Sequence, residues 1–357
     1  TTLVTALALF LFGTGPIKGF AVTLTLGIIF NLFAVLLCTR WAYDGLYGMR
    51  MLKELHFMEF LKKPNFDFMK LRKIAFAISG IVTLIGLIAF VQILRGQANL
   101  GIDFAGGSMF HYKAEKAFTL AEVRPTLAKN GFADVDLQEV TGENRLIVKV
   151  KKSEKTVGKL GEQLSGVLSK ELADKGFVLE GQSEIGSSIS EDLRNKAFMA
   201  VVISLLGVLA YLALRFDMSY GVAAAVSTFH DVLAVLGLCW LLGIEFNLLI
   251  ITALLTLAGY SLNDTVVIFD RIRENVHKHK EGANLFSVIN DSINQVVSRT
   301  VVTGLTTLMT LLSLFFLGGA TIHDFSFALL AGIVFGTYSS IFVASPILAL
   351  WPHREQA

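Results

Sequence analysis

The sequence predicts a polytopic α-helical membrane protein with about eight transmembrane helices, six of them forming one bundle, and one extracytoplasmic α+β ferredoxin-like domain. Three observations predict it. First, 54% of the 357 residues are hydrophobic and only 17% charged, and the mean hydropathy of +0.62 is too high for a soluble domain of this size. Second, the apolar residues gather in blocks, most of them roughly the 18 to 25 residues that a helix needs to cross a bilayer. Third, a single polar block of about 100 residues interrupts them, the size of one small domain. A net charge of +2 and the lack of an acidic or basic tail give no ground to expect a nucleic-acid partner.

The apolar blocks run over 1–12 (short), 20–39, 74–94, 197–214, 221–242, 247–269, 300–317 and 325–350. Cys38 and Cys239 both lie inside them, where cysteine serves as a small soft hydrophobe, so neither a disulfide nor a cysteine metal site is expected. The chain opens inside an apolar run with no basic n-region, and a signal peptide is not expected.

Lys and Arg collect in cytoplasmic loops, and this orients the chain. Segments 40–73 and 270–299 are rich in them and are assigned to the cytoplasm. "GTGPIKGF", "GIEFN", "GGATIHDF" and the polar block 95–196 then fall outside. The expected organisation is two helices in 1–39, a basic linker in 40–73, one helix in 74–94, an external domain in 95–196, five helices in 197–350 and a cytoplasmic tail in 351–357.

The polar block reads as strand 108–113, helix 119–129, strands 135–140 and 145–151, helix 153–174 and strand 177–185. Thr119 and Glu122 have capping-box spacing. Strand-helix-strand twice over suggests the ferredoxin-like sandwich, a fold that names no function by itself.

The chain also repeats itself. Residues 1–30 align without gaps on 306–335, with 14 identities in 30 positions, including Thr1, Thr2 and Thr5 on Thr306, Thr307 and Thr310, and Phe20 on Phe325. A duplication of this kind is typical of transporters, with function at the interface between halves. On this reading Thr1 corresponds to a residue inside a helix, and a segment resembling 74–305 is expected to precede it.

Ionised groups inside a membrane cost about 2.5 to 3.5 kcal/mol each and usually face a bundle interior. In "GYSLNDTVVIFDR", Asp264 lies near the cytoplasmic end of its apolar block, flanked by Asn263, with Tyr260 and Ser261 one turn back. It suits either a protonatable relay or a carboxylate paired within the bundle. Arg299 opens a block whose Thr303, Thr306, Thr310 and Ser313 fall three or four apart, giving one hydroxylated stripe. That is either a wet wall with Arg299 as counter-ion to Asp264, or packing threonines below a snorkelling arginine. His230 and Asp231 sit mid-block, as a second relay or as polar glue; adjacent positions point about 100° apart, so no direct bond between them is expected. Asp270 and Arg271 are expected to pair at the membrane exit.

Other chemistry is weakly represented. His277 and His279 lack a third ligand for a metal, "GTGPIKGF" lacks the ending of a phosphate loop, and no Ser-His-Asp set lies on aqueous elements. No cofactor is expected.

"GIDFAGGSMF", "FHDVLAV", "YSLNDTVVIFDRIREN" and "SRTVVTGLTTLMTLL" together resemble the SecF family of protein-export membrane proteins, in the resistance-nodulation-division superfamily. Residues 12–40 resemble the last helices of SecD, so the order resembles part of a fused SecDF chain. The resemblance implies an inner-membrane protein that works with SecD, the SecYEG channel and a YajC-like accessory protein, and uses the proton gradient to draw preprotein outward. It places the proton-passage residues at Asp264 and Arg299, and a family motif at Gly101, Asp103, Gly106 and Gly107. The family's second carboxylate, on the matching SecD helix, has no counterpart in this sequence. Three alternatives stand beside it: a proton-driven exporter of small hydrophobic molecules, a scaffold of the channel that transports nothing, and an intramembrane protease using Asp231 and Asp264.

Overall fold

The computed structural model of the chain describes residues 2–12, 16–51, 64–140, 144–151, 157–278 and 284–351. In chain order these form α1 (Thr2–Phe12), α2 (Pro16–Phe33), α3 (Thr39–Gly48), α4 (Arg72–Leu94), α5 (Ile102–Ala105), β1 (Gly107–Lys113), α6 (Leu120–Lys129), β2 (Val135–Val140), β3 (Arg145–Lys151), α7 (Val157–Glu171), β4 (Val178–Ile185) and α8 (Ser187–Arg215). The bundle is completed by α9 (Met218–Leu241), α10 (Leu248–Lys278), α11 (Leu285–Leu317), α12 (Ala320–Ser339) and α13 (Ser345–Leu350). π-helical turns over Ala34–Cys38 and Ser340–Ala344 join α2 to α3 and α12 to α13.

Among the described residues seven helical spans are long and apolar enough to cross a membrane, and α1 is a shorter apolar helix beside them. The spans are unequally covered. About two-thirds of the apolar stretch of α9 and of α10 is buried within the chain, against 17% for α11 and 6% for the span that begins at Lys18. α9 and α10 are therefore the interior of the bundle, and α2 and α11 present most of their surface outward. α10 packs on α9, α11, α12 and α1, while α4 lies along α9.

The helices outrun the apolar blocks. α8 starts at Ser187, so the expected boundary at 196 falls inside a helix, and α3 carries helix to Gly48 inside the expected linker. At the other end of the bundle α10 likewise continues to Lys278, and α11 begins as early as Leu285. Hydropathy marks the part of a helix that lies in hydrocarbon, whereas the backbone ladder continues wherever side chains permit it.

The external domain is a four-stranded antiparallel sheet in the order β2-β3-β1-β4, with α6 and α7 as its crossovers. This is the ferredoxin-like arrangement that the sequence pattern predicts. Along β1, Ser108, Phe110 and Tyr112 alternate inward. Phe110 stands opposite Val148 and Tyr112 opposite Leu146, and these pack with Leu127 of α6 and Leu164 and Leu168 of α7. Thr119 takes the N-cap position of α6, but its side chain accepts no capping bond and Glu122 pairs with Lys175 at 3.2 Å. The expected capping box is not formed, because a cation from the α7–β4 connection takes the glutamate. The first residues of the expected helix 153–174 lie outside the described residues, and its end at Glu171 is followed by a tight turn over Ala173–Lys175.

Candidate functional site

α10 carries no proline, and its polar positions divide between two faces at helical spacing. Tyr260 and Asp264, one turn apart, turn toward α11. The Tyr260 hydroxyl meets the Thr307 hydroxyl at 2.9 Å, which ties the two helices together beside the carboxylate. Asp264 is half-buried and Arg299 on α11 is exposed. Among the described residues Asp264 and Arg299 form no hydrogen bond or contact ion pair with each other. Asn263 lies on the exposed side of the same turn.

The hydroxyls of Thr303, Thr306, Thr310 and Ser313 all reach the carbonyl four residues back on α11, at 3.0 to 3.2 Å. Each residue is exposed, so the stripe lies on a face of α11 that the rest of the described chain leaves uncovered. The same sequence in the first repeat is packed. Thr2 of α1 donates to the Gly259 carbonyl at 3.4 Å, and a Cβ on Gly259 would fall 2.9 Å from the Thr5 hydroxyl.

The other face of α10 meets a buried polar cluster. Asp231 is fully buried and His230 nearly so. Nδ1 of His230 lies 2.9 Å from Oδ1 of Asp231 in a hydrogen bond, contrary to the expectation drawn from their adjacent positions. The 100° between neighbours separates their Cβ directions, but side-chain rotation still lets the ring and the carboxylate meet. Oδ2 accepts from Ser261 of α10 at 2.5 Å and from Ser339 of α12 at 2.7 Å. One turn on, the Thr265 hydroxyl meets Ser340 at 2.8 Å, at the start of the second π turn. Asp231 thus joins three helices, and no hydrogen bond links it to Asp264 among the described residues. Asp270 and Arg271 do not pair with each other: Asp270 binds Arg215 of α8 and Arg273, and Arg271 binds Glu274 and Gln295. Their side chains diverge toward different neighbouring helices.

The motif at 101–107 lies where the external domain meets the bundle. Gly106 and Gly107 take φ of +73° and +152°, which lets the chain turn from α5 directly into β1. Asp103 accepts from the Leu248 backbone N–H at 3.0 Å, at the first turn of α10, and Asn247 accepts from Ile250 at 3.0 Å. A carboxylate at a helix N-terminus meets both the free N–H groups and the positive end of the dipole. Beside it, Lys149 of β3 pairs with buried Glu245 at 2.5 Å. Burial pushes the Glu245 carboxyl above its usual range, and the Lys149 ammonium draws it back.

Several residues of these sites escape a reading of the sequence. Thr307 follows Thr303 by the same four-residue step that separates Tyr260 from Asp264, and matching the two helices would find it. Ser339 and Ser340 form a hydroxyl pair in an apolar run, which is the one signal they carry. Lys149 and Glu245 are 96 residues apart and carry none. Among the described residues no three His, Cys, Asp or Glu converge on a common point, and His279 lies outside the described residues.

Residues 165–354 match the family profile described as protein export membrane protein SecD/SecF, C-terminal. Protein translocase subunit SecF of Thermodesulfovibrio yellowstonii is 46% identical over 294 residues, covering 82% of this chain and 97% of that protein. Protein translocase subunit SecDF of Thermus thermophilus is 38% identical, covering 99% of this chain and 47% of that one. The crystal structure of SecDF from Thermus thermophilus superimposes with a TM-score of 0.82 at 34% identity, over 99% of this chain and 47% of that chain. A SecDF structure in a super-membrane-facing form superimposes with a TM-score of 0.74. The chain spans about half the length of the SecDF proteins it matches and nearly the whole of SecF. With the profile, the relatives and the helical architecture in agreement, the chain belongs to the SecD/SecF family of protein-export membrane proteins, multi-pass proteins of the bacterial inner membrane.

Proposed function

We propose that this chain is a SecF-like part of a Sec translocase accessory unit, which uses the proton-motive force to promote movement and release of secreted polypeptide on the outer side of the membrane. The observation that carries this is Asp264: a half-buried carboxylate within a membrane-length apolar span, facing the helix that bears Arg299 without contact pairing. A carboxylate locked to a guanidinium keeps its charge; one that feels the cation at a distance can gain and lose a proton. His230, Asp231, Asn263 and Thr303 are supporting polar groups in this proposal, with Asp231 holding the helices around Asp264 in register.

Each proton crossing the full potential delivers about 2.3 kcal/mol per 100 mV, enough to bias a rocking motion between repeats. The second carboxylate of the proton site comes from a SecD-like half, which lies against the uncovered hydroxyl stripe of α11. That position follows from the packing of the first repeat, where α1 lies on α10 at Gly259. The partners are then SecD, the SecYEG channel, a YajC-like protein, the preprotein and membrane lipid.

The test is preprotein translocation into vesicles holding the channel with the complete SecD and SecF halves. Asp264→Asn is expected to abolish stimulation by a proton gradient while leaving thermal unfolding in detergent unchanged. Normal stimulation in that variant overturns the proposal.

A further inference from the structure

The junction between the external domain and the bundle is built from backbone pairing, a helix cap and a buried ion pair. The Gly101 N–H donates to the Phe246 carbonyl and the Phe246 N–H to the Asn99 carbonyl, both at 2.8 Å, forming a parallel bridge between residues that flank Leu100 and the α9–α10 loop. The Asn99 side chain donates to the Gly243 carbonyl at 2.9 Å, so both ends of that loop are held. Gly101 suits the closeness of the approach: a Cβ there would lie 3.0 Å from Oε1 of Glu245 and 3.1 Å from Cβ of Asn247, tighter than ordinary contact.

Asp103 then caps Leu248, the first residue of α10, as described above. Lys149 reaches from β3 of the sheet to Glu245, with Asp136 of β2 at 3.8 Å on its other side. The side chains of Lys149 and Glu245 keep only 12% and 7% of their exposure, so water does not compete for this pair as it does for surface bridges. Oε1 of Glu245 is buried with no other partner, and Lys149 is the cation that compensates the charge. From Leu248 the uninterrupted helix α10 runs sixteen residues to Asp264, about 24 Å at 1.5 Å per residue.

We propose that Asp103, Lys149 and Glu245 are positioning residues that fasten the sheet of the external domain to the outer end of α10, making helix and domain one strut along which a displacement at Asp264 reaches the outer side. The inference rests on the assignment of proton coupling to Asp264. Its own content is mechanical: the junction stays closed while the helix moves, and the domain follows the helix.

The experiment uses the complete SecD–SecF complex in lipid, with Cys38→Ser and Cys239→Ala so that only introduced thiols react. Nitroxide labels at Glu171 on α7 and Leu242 beyond α9 report the distance between domain and bundle. With Lys149 present one narrow distance population is expected, and Lys149→Met is expected to broaden it at least twofold. The same variant is expected to keep proton flux that depends on Asp264 while losing at least fivefold in gradient-stimulated translocation. An unchanged distance distribution, or unchanged stimulation with proton flux intact, overturns the strut. A wild-type complex with no Asp264-dependent proton flux would sink the proton assignment instead, and the label distances still decide whether the junction is rigid. To separate the link from general destabilisation, Lys149→Cys and Glu245→Cys are joined by a short bis-maleimide. Recovery of stimulation on joining supports the strut, and continued loss in the fully joined protein overturns it.

Discussion

Phe20 of α2 and Phe325 of α12 occupy the same position in the two sequence repeats, and they touch each other edge to face with ring centroids 5.5 Å apart. A residue that meets its own counterpart lies close to the axis relating the two halves. The pair therefore sits where the two repeats meet. Edge-to-face aromatic pairs are worth about 0.5 to 1.5 kcal/mol beyond their buried area. A double-mutant cycle of Phe20→Leu and Phe325→Leu, read by thermal unfolding in detergent, is expected to give a coupling energy in that range. Strict additivity of the two changes would show that the contact is not maintained in the membrane protein.

The close approach of α1 to α10 is equally testable. A Cβ on Gly259 would sit 2.9 Å from the Thr5 hydroxyl and 3.1 Å from the Thr2 backbone, and the backbone atom cannot rotate away. Gly259→Val is expected to cost about 1 to 3 kcal/mol by overpacking and to push α1 off the bundle. Faster modification of a cysteine placed at Leu9, which is fully buried in the parent, would report the displacement.

Asp231 holds three donors from three side chains on three helices. Asp231→Leu removes the acceptor from all of them and is expected to destabilise the bundle by several kcal/mol, at about 1 to 3 kcal/mol for each buried group left unpaired. Asp231→Asn keeps one acceptor oxygen and is expected to lose about half as much, since fewer of the buried donors are left unpaired. Thermal unfolding of the two variants in the same detergent gives the comparison, and equal losses would contradict it.

The external domain carries its own pH dependence. Tyr112 is buried under α7, its hydroxyl 3.2 Å from Ser165, and burial raises its phenol above 10 with Ser165 drawing it partly back. Above pH 10 the unfolded chain gives up this proton while the folded domain keeps it. The stabilisation is complete below that value and is lost as pH rises through the folded pKa. Tyr112→Phe is expected to flatten this alkaline limb and to cost about 1 kcal/mol at neutral pH through the lost hydrogen bond. Near-ultraviolet circular dichroism of the intact chain during an alkaline titration shows whether it does.

Which of these features could be found in the sequence depended on contrast. Asp264 stands out because a carboxylate in an apolar run is costly, and the eight apolar blocks stand out because hydrocarbon thickness sets their length. The strand pattern of the external domain was legible because one face of its sheet is buried, and β2 and β3 begin and end where alternation places them. Ser261, Ser339 and Ser340 were not legible as a cluster, since a serine in a transmembrane helix usually satisfies itself on its own backbone. Helix ends were misplaced wherever the helix leaves the membrane, as at Ser187 and Gly48. The pairing of Lys149 with Glu245 depends on how a separate domain docks, which no local pattern records.

The two π turns correspond across the repeat. Sliding the first repeat by its offset of 305 carries Ala34–Cys38 onto residues 339–343, within one residue of the turn observed at Ser340–Ala344. The first turn has no buried residue and the second is buried almost throughout, against Thr265 and below Asp231. A π turn accommodates one extra residue in the helix, and here it falls at nearly matching places in both repeats. In the second repeat the π turn follows directly on Ser339, which meets Asp231, and sets the Ser340 hydroxyl against Thr265, so an irregularity that both repeats carry is exposed in the first and bound into the buried polar cluster in the second.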